Sequence, residues 1–243
     1  MGKSKNRKME FKRFTVHDDR CAMKIGTDAI LLGTLSDHPN PQRIVDVGTG
    51  CGIVALMLAQ RFPKASVDAV ELNPEAASQA IENFSCSPYS DRLTCIQSSF
   101  QDWASSCSDK YDLIVCNPPY YDGTSKSPDE ARNMARHQDH LPIQEFLQGA
   151  MSLLNEEGRV VVVWPVNREE EFVDACGHSG LIYNGSHKVK ATEDHQPIRL
   201  IAVCSKSVEK YLDNTITLES GVGDNREFTP EYLELVREFF LKA

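Results

Sequence analysis

The sequence lacks any two cysteines closer than nine residues, so the CxxC spacing of zinc and thioredoxin-like sites is missing. Its eight cysteines (Cys21, Cys51, Cys86, Cys95, Cys107, Cys116, Cys176 and Cys204) read instead as thiols kept in a reducing compartment. The histidines, among them His17, His137 and His140, show no ligand spacing either, and no metal site is expected. No apolar run approaches the roughly 18 residues a membrane span needs, and the longest, such as Val160–Trp164, are strand-sized. The start, Met1–Arg13, is basic but has no apolar stretch behind it, so it does not read as a secretory signal and the cytoplasm is expected. A positive balance is missing too: 26 Lys and Arg against 35 Asp and Glu give −9, which taken whole argues against a nucleic-acid partner.

The distribution of that charge says something different. Residues 1–25 hold eight basic residues (Lys3, Lys5, Arg7, Lys8, Lys12, Arg13, Arg20 and Lys24) against Glu10, Asp18 and Asp19, while the remainder is strongly acidic. A basic arm on an acidic body suits contact with a polyanion, with Arg7, Lys8, Lys12 and Arg13 as candidates for phosphate; a solvated terminus is the alternative. With 41% hydrophobic and 25% charged residues over 243 positions, the chain is long and apolar enough for one well-packed domain, and disorder is excluded. The reading is an N-terminal extension over 1–25 and a single domain over 26–243, without repeats or linkers, expected to act as a monomer.

Strand and helix patterns alternate from Arg43 to about Cys176. Strands are predicted at Arg43–Val47, Ser66–Glu71, Leu93–Gln97, Tyr111–Cys116 and Arg159–Trp164. The last two are almost wholly apolar, as strands covered on both faces should be. Helices are predicted at Ile53–Phe62, Pro74–Phe84, Ile143–Leu154 and Arg168–Cys176. Leu181–Lys190 and Ile198–Ser205 face each other across a polar stretch as an antiparallel pair, and Thr229 with Pro230 opens a last helix to about Lys242. The implied fold is α/β: a mostly parallel seven-stranded sheet with a C-terminal antiparallel hairpin and helices on both faces.

Gly48-Thr49-Gly50-Cys51-Gly52 lies between the first of those strands and its helix, where glycines let backbone approach a ligand. Its GxGxG spacing is tighter than the GxGxxG that seats a pyrophosphate. It suits a ligand without phosphate at that point, such as the amino-acid part of S-adenosylmethionine. Glu71 ends the second strand, 23 residues past Gly48, where a carboxylate can accept from both ribose hydroxyls, with Leu72 beside it. Asp46 would anchor the loop or reach the methionine amino group. Asp102, after the third strand, is placed to accept from an adenine amine, or else to cap a helix.

Asn117-Pro118-Pro119-Tyr120 follows the fourth strand directly. Two prolines remove two N–H donors and leave rigid carbonyls, and the Asn117 side chain adds another acceptor. Acceptors held about 3 Å from one point grip both hydrogens of a planar amine. Tyr120 offers a flat face on which a planar base can stack. A conjugated amine is a poor nucleophile, and accepting its N–H bonds returns electron density to nitrogen, so no separate catalytic base is required.

In this order and spacing, DVGTGCG, VELNP and NPPY resemble the class I amino methyltransferases, which have a Rossmann-like fold. Phe14–His17, Cys21–Asp28 and Asn117–Tyr121 are more closely similar to the bacterial tRNA (adenine-N6) methyltransferases that act on adenosine 37 of valine tRNA. The resemblance covers about residues 11–243. It implies S-adenosylmethionine as cofactor, tRNA as partner and Asn117, Pro118 and Tyr120 as catalytic residues. It places Lys24, Gly26 and Thr27 over the cofactor, with Thr27 capping the helix through Leu35. Pro119, Tyr120 and Tyr121 would hold the base, and Arg132 and Arg136 would bind phosphate or pair with nearby acids. Tyr121 stands where the family has Phe, and Asn73 where an acid is common. Other acceptors for the same chemistry are an rRNA or DNA adenine and a protein glutamine amide. Glutamine methylation usually comes with a helical domain before the glycine loop, and only 42 residues precede Arg43. From another class, the alternatives are a non-catalytic nucleotide-binding module and a dinucleotide oxidoreductase, and GxGxG and NPPY both argue against the oxidoreductase.

Overall fold

The computed structural model describes residues 7–118, 141–210 and 213–241. Pro119, Tyr120, Tyr121, Arg132 and Arg136 lie outside the described residues. The body is an eight-stranded sheet in which β3 (Arg43–Val47), β4 (Ser66–Glu71), β5 (Leu93–Gln97), β6 (Tyr111–Cys116) and β7 (Leu154–Pro165) run parallel in the order β7-β6-β3-β4-β5. On the far side of β7, β9 (Arg199–Ser205) pairs antiparallel with β7 and with β8 (Ile182–Lys190). The antiparallel hairpin is therefore where the sequence places it.

The strand count differs from seven. β10 (Asn214–Thr217) adds an edge, parallel to β8 through Asn214–His187 to Thr217–Lys190. Only Ile216 of its four residues is buried, so the run has too little apolar pattern to read as a strand. Pairing with β8 supplies what the local sequence does not. β7 also begins earlier than Arg159, at Leu154, across a register shift against Tyr111 and Leu113. Asn155 Nδ2 donates to Asp112 Oδ1 at 2.6 Å there, holding a polar stretch that has no strand period.

Side chains of the central strands alternate between two cores, as a pleat with period two requires. Leu113, Val115, Val161, Val163, Ile201 and Val203 face the core under α1 (Thr27–Leu35), α2 (Ile53–Arg61) and α3 (Pro74–Ser85). Ile114, Val160, Val162, Leu200 and Ala202 face the other, under α4 (Phe100–Ser106), α5 (Ile143–Leu153) and α6 (Glu169–Ser179). Each fully buried aliphatic side chain contributes about 1.5–3 kcal/mol, so two-sided burial explains the unbroken apolar runs.

Residues 7–25 do not stand off as an arm. β1 (Lys8–Glu10) and β2 (Thr15–His17) form an antiparallel hairpin. Phe11, Phe14 and Val16 are buried in the first core, with the Phe11 and Phe14 rings stacked at 4.8 Å. A boundary at residue 25 thus cuts through packed residues. The same hairpin shortens the last helix, α7, to Pro230–Val236 rather than Lys242. The Lys12 N–H takes the Phe239 carbonyl and the Lys12 ammonium takes that of Arg237, so the chain after Val236 bonds across to the N-terminus. Thr229 caps α7 as expected, its hydroxyl oxygen accepting from the Tyr232 N–H.

Candidate active site

The C-terminal ends of β3, β4, β5 and β6 share one edge, because the four strands are mutually parallel. Ligands of open α/β sheets bind at such an edge. A cleft of about 350 Å³ opens there, between the turns after those strands and residues Cys21–Met23.

The glycine loop forms one side. Gly48, Gly50 and Gly52 have φ of 71°, 57° and 85°, a region costly for residues with a Cβ. A Cβ on Gly48 or Gly50 would meet nothing within 4 Å, so both present bare backbone to open space, and both line the cleft. Gly52 has another reason: a Cβ there would lie 2.4 Å from the Phe84 ring, and Gly52 lies behind the cleft lining. The loop is pinned by Gly48 and Thr49 N–H groups donating to the Val70 carbonyl.

Asp46 resolves into the first of its two expected roles. It is buried beneath the loop, with Oδ2 accepting from Thr49 Oγ1 at 2.6 Å and from the Ala55 N–H at 3.2 Å, and it does not line the cleft. Burial pushes its carboxyl up to about 7 against those two bonds, and the Glu71 charge adds to the rise. Glu71 lines the cleft with Leu72. Its Oε2 accepts from the Gly50 N–H and its Oε1 from the Asn73 N–H, both at 2.8 Å. This couples the ends of β3 and β4. Asn73, with no acidic side chain, caps α3 by accepting from the Glu75 and Ala76 N–H groups.

Asn117 and Pro118 also line the cleft, directly after β6 and beside Cys116. Cofactor and amine-holding candidates thus meet at one place.

Other residues land elsewhere. Asp102 sits in the first turn of α4, where its Oδ2 accepts from the hydroxyl of the cap residue Ser99 at 2.7 Å; Ser98–Gln101 line the cleft instead. One oxygen of its carboxylate is engaged at the helix start. Lys24 turns away, its ammonium donating to the carbonyls of Asp18 at 2.6 Å and Cys21 at 2.8 Å. Gly26 is the N-cap of α1 with no side-chain bond, so Thr27 is the first helical residue and not the cap. Neither lines the cleft. Cys21, Ala22, Met23, Ser98–Gln101 and Leu141 were not singled out as site residues; Ser98 alone had a positional signal, as the residue just past a parallel strand. Three of the four basic candidates have protein partners: Arg7 pairs with Asp18 at 3.3 Å, Lys8 with Glu10 and Lys12 with the Arg237 carbonyl.

Among the described residues, the cleft lining carries one charge, Glu71, and neither lysine nor arginine. That suits a cationic ligand with ribose hydroxyls and no phosphate, and the residues fit S-adenosylmethionine. No described helix is long and apolar enough to cross a membrane.

Comparison with known proteins agrees with this geometry. The methyltransferase small domain family model matches residues 22–175. A tRNA1(Val) (adenine(37)-N6)-methyltransferase from Flavobacterium psychrophilum is 39% identical over 96% of this chain and 98% of its own. One of the same name from Christiangramia forsetii is 40% identical over 98% and 99%. Among solved structures, a predicted O-methyltransferase from Agrobacterium tumefaciens superposes with a TM-score of 0.68 at 18% identity, covering 87% of this chain and 96% of that one. TrmN from Thermus thermophilus gives 0.55 at 23% identity over 74% and 48%, and both likenesses speak for the fold alone. S-adenosylmethionine is the cofactor of this class, and with full-length identity near 40% the chain belongs to the tRNA1(Val) (adenine(37)-N6)-methyltransferase family.

Proposed function

We propose that this enzyme methylates N6 of adenosine 37 in valine tRNA, as the names of its relatives say of them. The observation that carries the reading is the placement of Asn117 and Pro118 in the same cleft as Gly48, Gly50 and Glu71. S-adenosylmethionine, when bound, supplies an electrophilic sulfonium methyl group. Glu71 accepts from the ribose hydroxyls, and Gly48 and Gly50 give the backbone room for the amino-acid end. The Asn117 side-chain oxygen and the Pro118 carbonyl accept the two amine hydrogens of adenine. That turns the nitrogen lone pair outward and favours the positive charge that grows on nitrogen. Holding the reacting atoms in line contributes much of the remainder, and the proton leaves afterwards. An anticodon-loop base leaves its stack more easily than a paired one, so it can reach such a cleft. The setting for this reaction is the cytoplasm, where unmodified tRNA is met.

The test is single-turnover methylation of valine tRNA by Asn117→Ala, with nucleosides read by mass spectrometry. Wild type should yield N6-methyladenosine. The variant should bind cofactor normally and lose about 10²–10³ in rate, since the acceptor acts most as charge develops. A wild-type rate would mean that Asn117 merely ends β6.

A further inference from the structure

Among the described residues the cleft lining holds no lysine or arginine, so a polynucleotide whose base enters it has to be held by charges placed beside it. Such charges stand on the same sheet edge. β7, β9 and β8 continue that edge from β6 in this order. Past the end of β7 the Val166 N–H donates to the Ile198 carbonyl at 3.3 Å, and the Ile198 N–H donates to the Val189 carbonyl at 3.0 Å. By the period of two, Ile198 faces the same side as Leu200, which is buried in the core under α4, α5 and α6, yet Ile198 is 60% exposed. Lys188 and Lys190 lie on that side as well, since Val189 between them enters the other core.

The cations around Ile198 are held in different ways. The Lys188 ammonium meets Glu169, at the start of α6, at 2.8 Å, and that of Lys190 donates to the Glu193 carbonyl, a neutral partner, at 2.9 Å. Arg168, in the turn after β7, has its guanidinium carbon 4.7 Å from the centre of the Trp164 ring. Its Nε and Nη2 donate to the two carboxylate oxygens of Glu171 at 2.7 and 2.6 Å, and the Trp164 indole N–H is tied to the Arg168 carbonyl at 2.8 Å. The Arg168 side chain is still 32% exposed. A guanidinium oriented in advance loses little freedom when a ligand arrives.

We propose that Arg168, Lys188, Lys190 and Ile198 form the surface that takes the ribose–phosphate backbone of tRNA next to the target nucleotide. Three cations around one bare isoleucine match a chain of phosphates joined by sugars with apolar faces. Neighbouring strands lie about 4.8 Å apart, so the row ends about 14 Å from the strand that leads to Asn117, within reach of the flanking nucleotides. Contacts of this kind position the RNA and do not read its sequence. Glu169 and Glu171 aim two of the cations and offset part of their charge, so Lys190 carries most of the attraction. The surface rests on Asn117 holding the target base.

The experiment measures binding of unmodified valine tRNA to the full chain over a range of salt, with steady-state methylation and calorimetric titration of S-adenosylmethionine alongside. Lys188→Ala combined with Lys190→Ala should weaken binding about tenfold or more at low salt and make the slope of log K against log salt shallower by about one to two. Ile198→Ser should weaken it about three- to tenfold at unchanged slope, because only apolar contact is lost. Arg168→Lys keeps the charge and loses the ring contact, and should weaken it about threefold. In each variant the loss should fall on KM for tRNA, not on kcat, with cofactor affinity unmoved. Unchanged affinity and slope in the double lysine variant, or a loss confined to kcat, would overturn the surface. Asn117→Ala separates the two readings, since it should bind tRNA as wild type does and lose rate. A wild-type rate there would overturn the placement of the base, while the salt slope still decides the surface.

Discussion

Residues 46–52 and residues 18–25 both shape the cleft, one through backbone conformation and the other through side-chain tethers. The first stretch has three glycines at positive φ and a buried carboxyl beneath them. The second has no positive-φ glycine among its residues. Its shape comes from Asp18, whose Oδ2 accepts from the Ile25 N–H at 3.0 Å while Arg7 approaches Oδ1, and from Lys24, which gathers the Asp18 and Cys21 carbonyls. A wall built on backbone geometry is rigid wherever its sequence allows few conformations. A tethered wall is only as firm as the charges that hold it.

The largest effect expected tests what lies beneath the glycine loop. Asp46 has a folded-state value near 7, raised from 3.8, so between those values the native protein binds the extra proton and stability falls as pH rises. Asp46→Asn keeps one oxygen for Thr49 and Ala55 and has no such dependence. Wild type should therefore lose on the order of 4 kcal/mol relative to Asp46→Asn between about pH 4 and 7, read from denaturant melts. Parallel profiles would show that Asp46 ionises freely.

Gly52→Ala comes next. It forces a Cβ onto the Phe84 ring at a left-handed backbone position and should cost about 2–4 kcal/mol of stability in chemical unfolding. A cost near zero would mean that the loop adapts, and the contrast between the walls would vanish. Asp18→Asn tests the other wall by turning an amide toward Arg7 or abandoning the Ile25 N–H. About 1–3 kcal/mol should be lost, and amide exchange over residues 21–25 should quicken while Gly48–Gly52 stay protected. Equal loosening of both stretches would make them one unit. Glu71→Ala has the smallest expected effect, a roughly tenfold loss of cofactor affinity by calorimetry with the fold retained. An unchanged affinity would place the cofactor elsewhere.

Legibility in the sequence follows the same division. β3, β4, β5 and β6 appear with the predicted boundaries; for β3 and β6 the reason is that strands buried on both faces leave little freedom of pattern. Gly48, Gly50, Glu71 and Asn117 could be read because backbone room and strand ends are written locally. Asp102 is ambiguous in sequence because an aspartate near a helix start serves a cap or a ligand equally well, and in the structure its Oδ2 takes the Ser99 hydroxyl. β10 is not legible in the sequence because its support is tertiary, from pairing with β8 and from the Thr229 hydroxyl on the Thr217 carbonyl.

The sequence by itself determined the parallel α/β order, the glycine turn and the position of Asn117 at a strand end, since each depends on period, on φ or on neighbours a few residues away. Only the tertiary structure decided where the basic residues near the start lie. Residues 8–17 fold into a hairpin whose Phe11, Phe14 and Val16 enter the core, and Arg7, Lys8 and Lys12 find partners on the protein. Charge along a chain records only what could be attracted. Burial of three apolar side chains among the charged ones fixes where those charges end up, and that depends on a C-terminal segment more than two hundred residues away.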